Sequence, residues 1–503
     1  MVLYCSPQCQ KAHWAKHKPD CKSDLLKPTW LPQWDIQQRP PAFVGHNIPS
    51  SSAFNFKDSK YLWGNMPAYD VLNFSGNEGI NVQSDINLLF AASGDLRNVF
   101  ATHVAVPSTY DGKLNIIIND RDLDIVARNV LMWMLLLVEK DPVVAAQNVV
   151  HLCALLGKTF ETPRGSLRVL LKKKSWNSLL NYTKVPDVAV AKAQEARRAV
   201  MLAPSRVDYK ERAYSQADPP TRFGAQKFRE RGILLPMGAS SEAFTVPNPT
   251  MFTDSGGWHT MDSADPTNGW LMSHIQKAGS AAGVNDVFGR LYYHVVELVM
   301  NVHKRLPSKL WVEMMQMDAD HLYGHFGPGP TRFDRMETSN ITDLAYLNPV
   351  GAVGQLGPLL KPPSVNPHAT LITLFMNAVH DIVAISGEKS QQDMDAAIRR
   401  ANEYLPISPP RHEFDAGMLR MMTVMDMFKD YDDLFGKYVK DTEFVPVLHS
   451  MGLEMKEKHT IVEKWPMRLH ERPDESGAKE VFQDMCNSQH KGGDRYVEWR
   501  IRR

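Results

Sequence analysis

The stretch DINLLFAASGDLRNVFATHV, Asp85–Val104, decides the fold, because it joins a short apolar run, a Ser-Gly-Asp turn and the opening of a helix. The next stretch, KLNIIIND at Lys113–Asp120, is rich in β-branched residues and ends in a carboxylate. A strongly apolar helix pattern then extends to Lys140, with Asp122 as its expected N-cap. This succession of strand, turn, helix, strand and helix is typical of a parallel sheet with crossover helices. The sequence therefore predicts an α/β fold.

Strand patterns return near the end of the chain. FDRMETSN (Phe333–Asn340) and ATLITLFMNAV (Ala369–Val379) read as strands, with a glycine-broken helix pattern between them. LEMKEKHTIVEKWPMRL (Leu453–Leu469) and DRYVEWRIR (Asp494–Arg502) alternate like antiparallel strands. Two late antiparallel strands on a parallel sheet favour a Rossmann-like layout that resembles the class I methyltransferases.

The turns after the first two predicted strands form a candidate cofactor site. Ligands of open α/β sheets bind beyond the carboxyl ends of the strands. Ser93, Gly94 and Asp95 follow the first strand, and Asp120 ends the second. A carboxylate at the latter place can accept both hydroxyls of a ribose, so these four residues resemble an S-adenosylmethionine site. A Rossmann-like scaffold that binds no cofactor is the alternative, since no catalytic motif follows the FDRMETSN strand.

The N-terminus carries a separate, metal-binding pattern. Cys5, Cys9, His17 and Cys21 have the spacing Cys-x3-Cys-x7-His-x3-Cys. Closely spaced cysteine and histidine pairs are the usual ligands of a structural zinc ion. The chain has five cysteines in all, so three within this short stretch are a strong cluster. The pattern predicts that these four residues bind Zn²⁺.

The segment YCSPQCQKAHWAKHKPDC (Tyr4–Cys21) resembles the second half of a MYND zinc finger. The resemblance implies that Cys5 and Cys9 belong to one zinc, and His17 and Cys21 to another, so that each zinc has two of its four ligands here. Either the chain begins inside the finger or the finger is degenerate, and a single Cys3His site is the remaining alternative. MYND fingers imply a protein partner, expected to be a proline-containing peptide.

Four further stretches resemble a fungal domain of unknown function that is commonly found behind a MYND finger. They are WGNMPAYDVLNF, NLLFAASGDLRNV, INDRDLDIVARNVL and FDRMETSNITDLAYLNPVGAVGQLGPLLKP. The early part of this domain is similar to the N-terminal region of the dynein axonemal assembly factor 3 family. The resemblance implies a MYND finger joined to a methyltransferase-like domain.

These patterns divide the chain into five predicted segments. They are a partial MYND finger (1–21), an irregular linker (22–60), the first part of the Rossmann-like domain (61–160), a large helical insertion (161–310), and the second part of that domain with its antiparallel strands (311–503).

Composition narrows the classes of function. The 503 residues carry a formal net charge of +1, which gives no global electrostatic case for nucleic acid. The longest apolar run, Val130–Val138, is about half a membrane span, and no secretory leader pattern precedes it. We therefore expect a cytoplasmic or nuclear protein without a membrane partner. Protein–protein interaction or regulation is the expected role, and an S-adenosylmethionine-dependent methyltransferase is the alternative.

Overall fold

The computed structural model of the chain describes most of its residues. The described residues are 2–44, 63–152, 166–171, 173–184, 189–252, 261–279, 281–306, 310–327, 332–386, 391–405, 409–488 and 492–502. Two predicted boundaries, at residues 60/61 and 160/161, lie outside them.

A mixed, mostly parallel eight-stranded sheet forms the centre of the described structure. Its strands are β1 (Ile86–Phe90), β2 (Leu114–Asp120), β3 (Ser166–Leu170), β4 (Leu310–Gln316), β5 (Arg335–Glu337), β6 (Thr370–Phe375), β7 (Leu453–Met455) and β8 (Arg495–Ile501). They are ordered β3-β4-β2-β1-β5-β6-β8-β7. All neighbours are parallel except at β8, which runs antiparallel to both β6 and β7. The fold is therefore α/β, as predicted.

Helices cover both faces of this sheet. They are α1 (Pro7–Cys21), α2 (Gln33–Ile36), α3 (Arg97–Ala105), α4 (Leu123–Val138), α5 (Pro142–Leu152), α6 (Lys173–Leu179), α7 (Val190–Met201), α8 (Val207–Gln216), α9 (Pro219–Arg231), α10 (Met272–Lys277), α11 (Val287–Lys304), α12 (Leu322–Phe326), α13 (Asn348–Leu356), α14 (Ala378–Ser386), α15 (Gln391–Tyr404), α16 (Ala416–Val424), α17 (Asp432–Thr442), α18 (Phe444–Ser450) and α19 (Ala478–Ser488).

The two faces of the sheet have separate apolar cores because successive strand residues point in opposite directions. Leu88 packs in one core with residues of α3, α4 and α11. Its neighbour Leu89 packs in the other, with residues of α13, α17 and α18. Every residue of β6 is buried, which is expected of a parallel strand covered on both sides. The carboxyl edge of the strands is thus held by core packing from both faces.

β1 and β2 confirm the sequence analysis. Asp122 caps α4 as predicted by accepting the Asp124 N–H at 2.8 Å. Two strands were not predicted. β3 lies inside the region expected to be a helical insertion, and β4 straddles its end at residue 310. The predicted insertion therefore contributes β3 and the first residue of β4 to the sheet, where β4 pairs with β2 along its whole length and β3 pairs with β4.

Another expectation is wrong, because only β7 is a strand in the predicted strand Leu453–Leu469. The described part of the predicted irregular linker, residues 22–44, has few helical residues, but it packs on the domain. Trp34, which lies in α2, is fully buried with its ring against Phe43. Burial of a large aromatic side chain in the core holds the surrounding segment against the domain, and the prolines of that segment do not prevent this.

Candidate functional site

Three of the four predicted zinc ligands, Cys9, His17 and Cys21, lie on α1, and Cys5 lies just before it. Helix α1 buries none of its residues. The helix begins after Ser6, whose Oγ accepts the Cys9 N–H at 3.2 Å, and Pro7 occupies the first helical position. The thiols of Cys5 and Cys9 lie 3.1 Å apart. The ligands are therefore presented on the surface of a capped helix.

His17 and Cys21 form a second pair. Their Nε2 and Sγ atoms lie 2.8 Å apart, since residues four apart share one face of a helix. The Ser6 hydroxyl, and then the Cys5 thiol, lower the pKa of Cys9, whereas hydrogen bonding and charge from Cys9 raise the pKa of Cys5. One thiolate in the first pair is thus favoured, and thiolates are the form that binds zinc.

The four ligands remain two pairs. Among the described residues, three or more metal-ligating atoms come together only at Asp35, His412 and Asp415. The four predicted ligands therefore lie as two separate pairs in this structure. The assignment of each pair to a different zinc stays a prediction of the MYND resemblance. The ligand types fit zinc, but each pair supplies two of the four ligands that a tetrahedral site needs.

The Asp35, His412 and Asp415 group is a structural contact. The guanidinium of Arg411 lies 2.6 Å from both Asp35 Oδ2 and Asp415 Oδ2. Asp35 also accepts the N–H of Ala416 at 2.7 Å. These charge-assisted bonds already satisfy the carboxylates, and they hold α2 against the start of α16.

The two predicted cofactor turns meet at the carboxyl edge of the sheet. Gly94, with φ of 66°, donates its N–H to Asp120 Oδ2 at 3.1 Å. Asp120 Oδ1 accepts the N–H of Asp122 at 2.9 Å. Burial raises the pKa of Asp120, while these two backbone donors oppose that rise. Asp120 therefore ties the loop after β1 to the loop after β2.

A cavity of about 390 Å³, hereafter the sheet-edge cavity, lies beside these turns. Ser93, Gly94 and Asp95 line it, and so does Asp122, but Asp120 is not among its lining residues. The hydroxyl oxygen of Ser93 is buried without a hydrogen-bond partner among the described residues. Of the four predicted cofactor residues, three thus face the cavity, and Asp120 supports them from behind.

The segment Trp63–Pro67, hereafter the cover segment, forms a further wall of the cavity. Asp95 accepts the Gly64 N–H at 2.7 Å and pairs with Arg97 at 2.9 Å. Arg97 donates to the carbonyl oxygens of Met66, at 2.7 Å, and of Gly269, at 2.6 Å. Asp95 therefore positions the cover segment, a role that sequence reasoning did not assign to it.

Sequence reasoning also missed Glu337, which ends β5 and lines the same cavity. Burial raises the pKa of its carboxyl to about 7, and the nearby Asp95 adds to the rise, while the Ser339 N–H, which donates to Oε1 at 2.8 Å, opposes it. Ser339 and Ala92 line the cavity with positive φ angles of 48° and 53°. Such backbone conformations in non-glycine residues concentrate at functional sites. A glutamate at the end of the FDRMETSN strand was the available signal.

Comparison with known proteins identifies two segments. Residues 1–21 match the MYND finger, and residues 62–160 match a domain of unknown function (DUF4470). The second match spans the cover segment and β1 to α5, and therefore most of the walls described above. Neither a curated protein nor a solved structure matches the chain.

The MYND match indicates a zinc-binding segment that mediates protein–protein interaction. The helices of the described residues include none that is long and apolar enough to cross a membrane.

Proposed function

We propose that this chain is a MYND-type interaction or regulatory protein of the cytoplasm or nucleus, with a methyltransferase-like domain behind the finger. The MYND match carries this proposal. It is supported by Trp14, which is 46% exposed on α1 and lies with its ring centroid 6.2 Å from that of His17. Exposed aromatic side chains are the usual contact of proline-containing peptides. The net charge of +1 gives no support to a nucleic-acid partner.

An array of immobilised proline-containing peptides, probed with the full chain in the presence of zinc, tests this function. Trp14→Ala should abolish binding, because the variant removes the aromatic surface on which a proline ring packs. Trp176→Ala is a matched control, since Trp176 is also 46% exposed and lies on α6. Equal losses in the two variants, or no zinc-dependent binding by the wild type, would exclude the finger as the docking surface.

Binding of S-adenosylmethionine in the sheet-edge cavity is the second candidate. It is supported by the end of the sheet, where β8 pairs antiparallel with both β6 and β7. Late antiparallel strands on a parallel sheet are the layout on which the class I methyltransferase resemblance rests. The cavity volume lies in the range of small-molecule sites. Bound S-adenosylmethionine would supply a methyl group, and Glu337, with its pKa of about 7, is suited to accept a proton nearby. The proposed contacts to the amino-acid portion or sugar are Ser93, Gly94 and Asp95, which line the cavity. The ribose contact expected of Asp120 requires its carboxylate, which does not line the cavity and already accepts two backbone N–H groups, to turn toward the ligand.

Calorimetry of the full chain with S-adenosylmethionine tests the second candidate. If Asp120 holds the ribose, Asp120→Ala should weaken binding by roughly 30-fold, which corresponds to about 2 kcal/mol. Since Asp122 lines the cavity and Asp120 does not, Asp122→Ala is the informative comparison. An absence of binding heat in the folded wild type would contradict the methyltransferase hypothesis and would leave the proposed interaction function unaffected.

A further inference from the structure

Arg128 lines the sheet-edge cavity without taking part in the hydrogen bonds by which the described residues hold the cavity walls. Arg128 lies in α4 one turn after Ile125, and both residues line the cavity. Arg128 is buried, with 4% of the residue exposed. Its Nε atom is buried and has no hydrogen-bond acceptor among the described residues.

Other buried arginines of the described structure have partners. Arg97 is bound by Asp95 and two carbonyl oxygens, and Arg335 is bound by Glu78 at 2.8 Å. Arg495, which also has unpartnered nitrogens, lies over the rings of Trp465 and Phe435. In the part of the chain that the structure describes, Arg128 has neither a carboxylate, nor a carbonyl oxygen, nor an aromatic ring as a partner.

A buried charge without a partner is strongly unfavourable. Such a charge is tolerated in a fold most readily when a bound ligand supplies the missing counter-ion. A guanidinium that faces a cavity of ligand size calls for an anionic group, which it can bind through two parallel hydrogen bonds.

The other charges of the cavity restrict which anion fits. Asp95, Asp122 and Glu337 all line it. Among the described residues, the only other lining cation, Arg97, is already paired with Asp95. A phosphate would bring about two negative charges into contact with these carboxyl groups. A single carboxylate accompanied by a positive charge avoids that repulsion.

We propose that Arg128 is the receptor for the carboxylate of a ligand with a zwitterionic amino-acid end, whose positive charge lies among the carboxyl groups of the same cavity. The proposal deepens the second candidate function and rests on it for the identity of the ligand. It adds a binding residue from α4, outside the two turns that sequence analysis selected.

Calorimetry with two ligands tests the role of the carboxylate. S-adenosylmethionine and its decarboxylated analogue differ in that group alone. Wild-type protein should bind the carboxylated ligand more tightly, and Arg128→Met should weaken its binding roughly 10- to 100-fold, while the decarboxylated analogue binds the variant and the wild type equally. Arg121→Met is the matched control, because Arg121 lies close by in sequence with its side chain 72% exposed, and it should change neither affinity.

A second measurement keeps the proposal testable if S-adenosylmethionine is not the ligand. Sodium acetate, compared with sodium chloride at equal ionic strength, should raise the melting temperature of the wild type and of Arg121→Met more than that of Arg128→Met. Arg128→Gln repeats the test if the methionine variant does not fold. Acetate dependence on Arg128 without any S-adenosylmethionine binding would refute the second candidate function and keep the anion site.

The opposite result separates the two claims equally well. If the wild type binds S-adenosylmethionine and Arg128→Met binds it with unchanged affinity, the methyltransferase-like site stands and the role of Arg128 is wrong. Equal acetate effects in all variants would overturn the role of Arg128 in either case.

Discussion

Helix α1 and the sheet-edge cavity present their polar groups in opposite ways. The zinc-ligand pairs lie on or just before a helix that buries no residue, and in each pair the two ligand atoms contact each other. At the sheet edge, Asp95 and Asp120 are buried or partly buried, and backbone N–H groups bind both oxygens of each carboxylate. The order of the zinc-ligand pairs therefore depends on a bound metal ion. The structure of the sheet edge is instead fixed by core packing and by an internal hydrogen-bond network.

Breaking the anchor of the cover segment should have the largest effect. Arg97→Met leaves Asp95 without its counter-ion and removes two bonds to carbonyl oxygens. Removing one partner of a buried ion pair destabilises by about 3–5 kcal/mol. Urea unfolding measures this loss, and Arg121→Met, in an exposed pair with Asp318, should change stability by less than about 0.5 kcal/mol. Similar small effects in both variants would show that the cavity wall is not preformed by this network.

Glu337 should make the stability of the cavity depend on pH. Because burial raises its pKa from 4.5 to about 7, the folded protein binds more protons than the unfolded chain between these values. Its contribution to stability is therefore full below about pH 4.5, and it decreases by about 3 kcal/mol as the pH rises through 7.

The matched variant is Glu337→Gln, which cannot ionise. Its free energy of unfolding relative to the wild type should increase between about pH 5 and about pH 8, measured by urea unfolding at each pH. A difference that is constant across this range would mean that Glu337 is not held in its protonated form by the fold.

The third variant tests how the two loops are tied together. Asp120→Asn keeps one carbonyl oxygen but loses the charge that both backbone donors share. We expect a loss of about 1–2 kcal/mol, in line with the difference between charged and neutral hydrogen bonds. Thermal unfolding measures it, with Asp111→Asn on an exposed loop as the control. If stability is unchanged while the affinity for S-adenosylmethionine falls, Asp120 binds the ligand and does not hold the two loops together.

The comparison also explains what could be predicted from the sequence. The Asp122 cap is a local pattern, in which the partners lie within a few residues, so spacing alone predicted it correctly. The contact between His17 and Cys21 is local in the same way, and its role as a zinc site stays a prediction. β1, β2 and β6 were equally visible because each contains a run of apolar residues. β4 was missed because it is stabilised by β2, and the two strands lie far apart in the sequence.

The walls of the cavity were less predictable for the same reason. The sequence suggested that Asp95 contacts a ligand, but its partner Gly64 belongs to the cover segment, which Arg97 links to the distant Gly269. Glu337 and Arg128 read as ordinary polar residues of a strand and a helix. The roles proposed for Glu337 and Arg128 depend on their burial and on the lack of interaction partners around them among the described residues. Neither property can be inferred from spacing along the chain.

Zinc affinity should be low in this chain. Each pair supplies two ligands, and the described residues bring no third ligand to either pair. Competition with a chelator should remove the metal readily, and Cys153 or Cys486, which stand outside the motif, offer single-serine controls for adventitious thiol binding. Two zinc ions retained per chain against the chelator would show that both sites are complete.

Amide hydrogen exchange of the full chain, with zinc and with a chelator, tests the contrast between the two regions most directly. Zinc should slow exchange in the segment from Cys5 to Cys21, and the chelator should reverse this. The turns at Ser93–Asp95 and Asn119–Asp122 should exchange at the same rate in both conditions, because their order comes from the core. Loss of protection at those turns when zinc is removed would contradict the independence of the two regions.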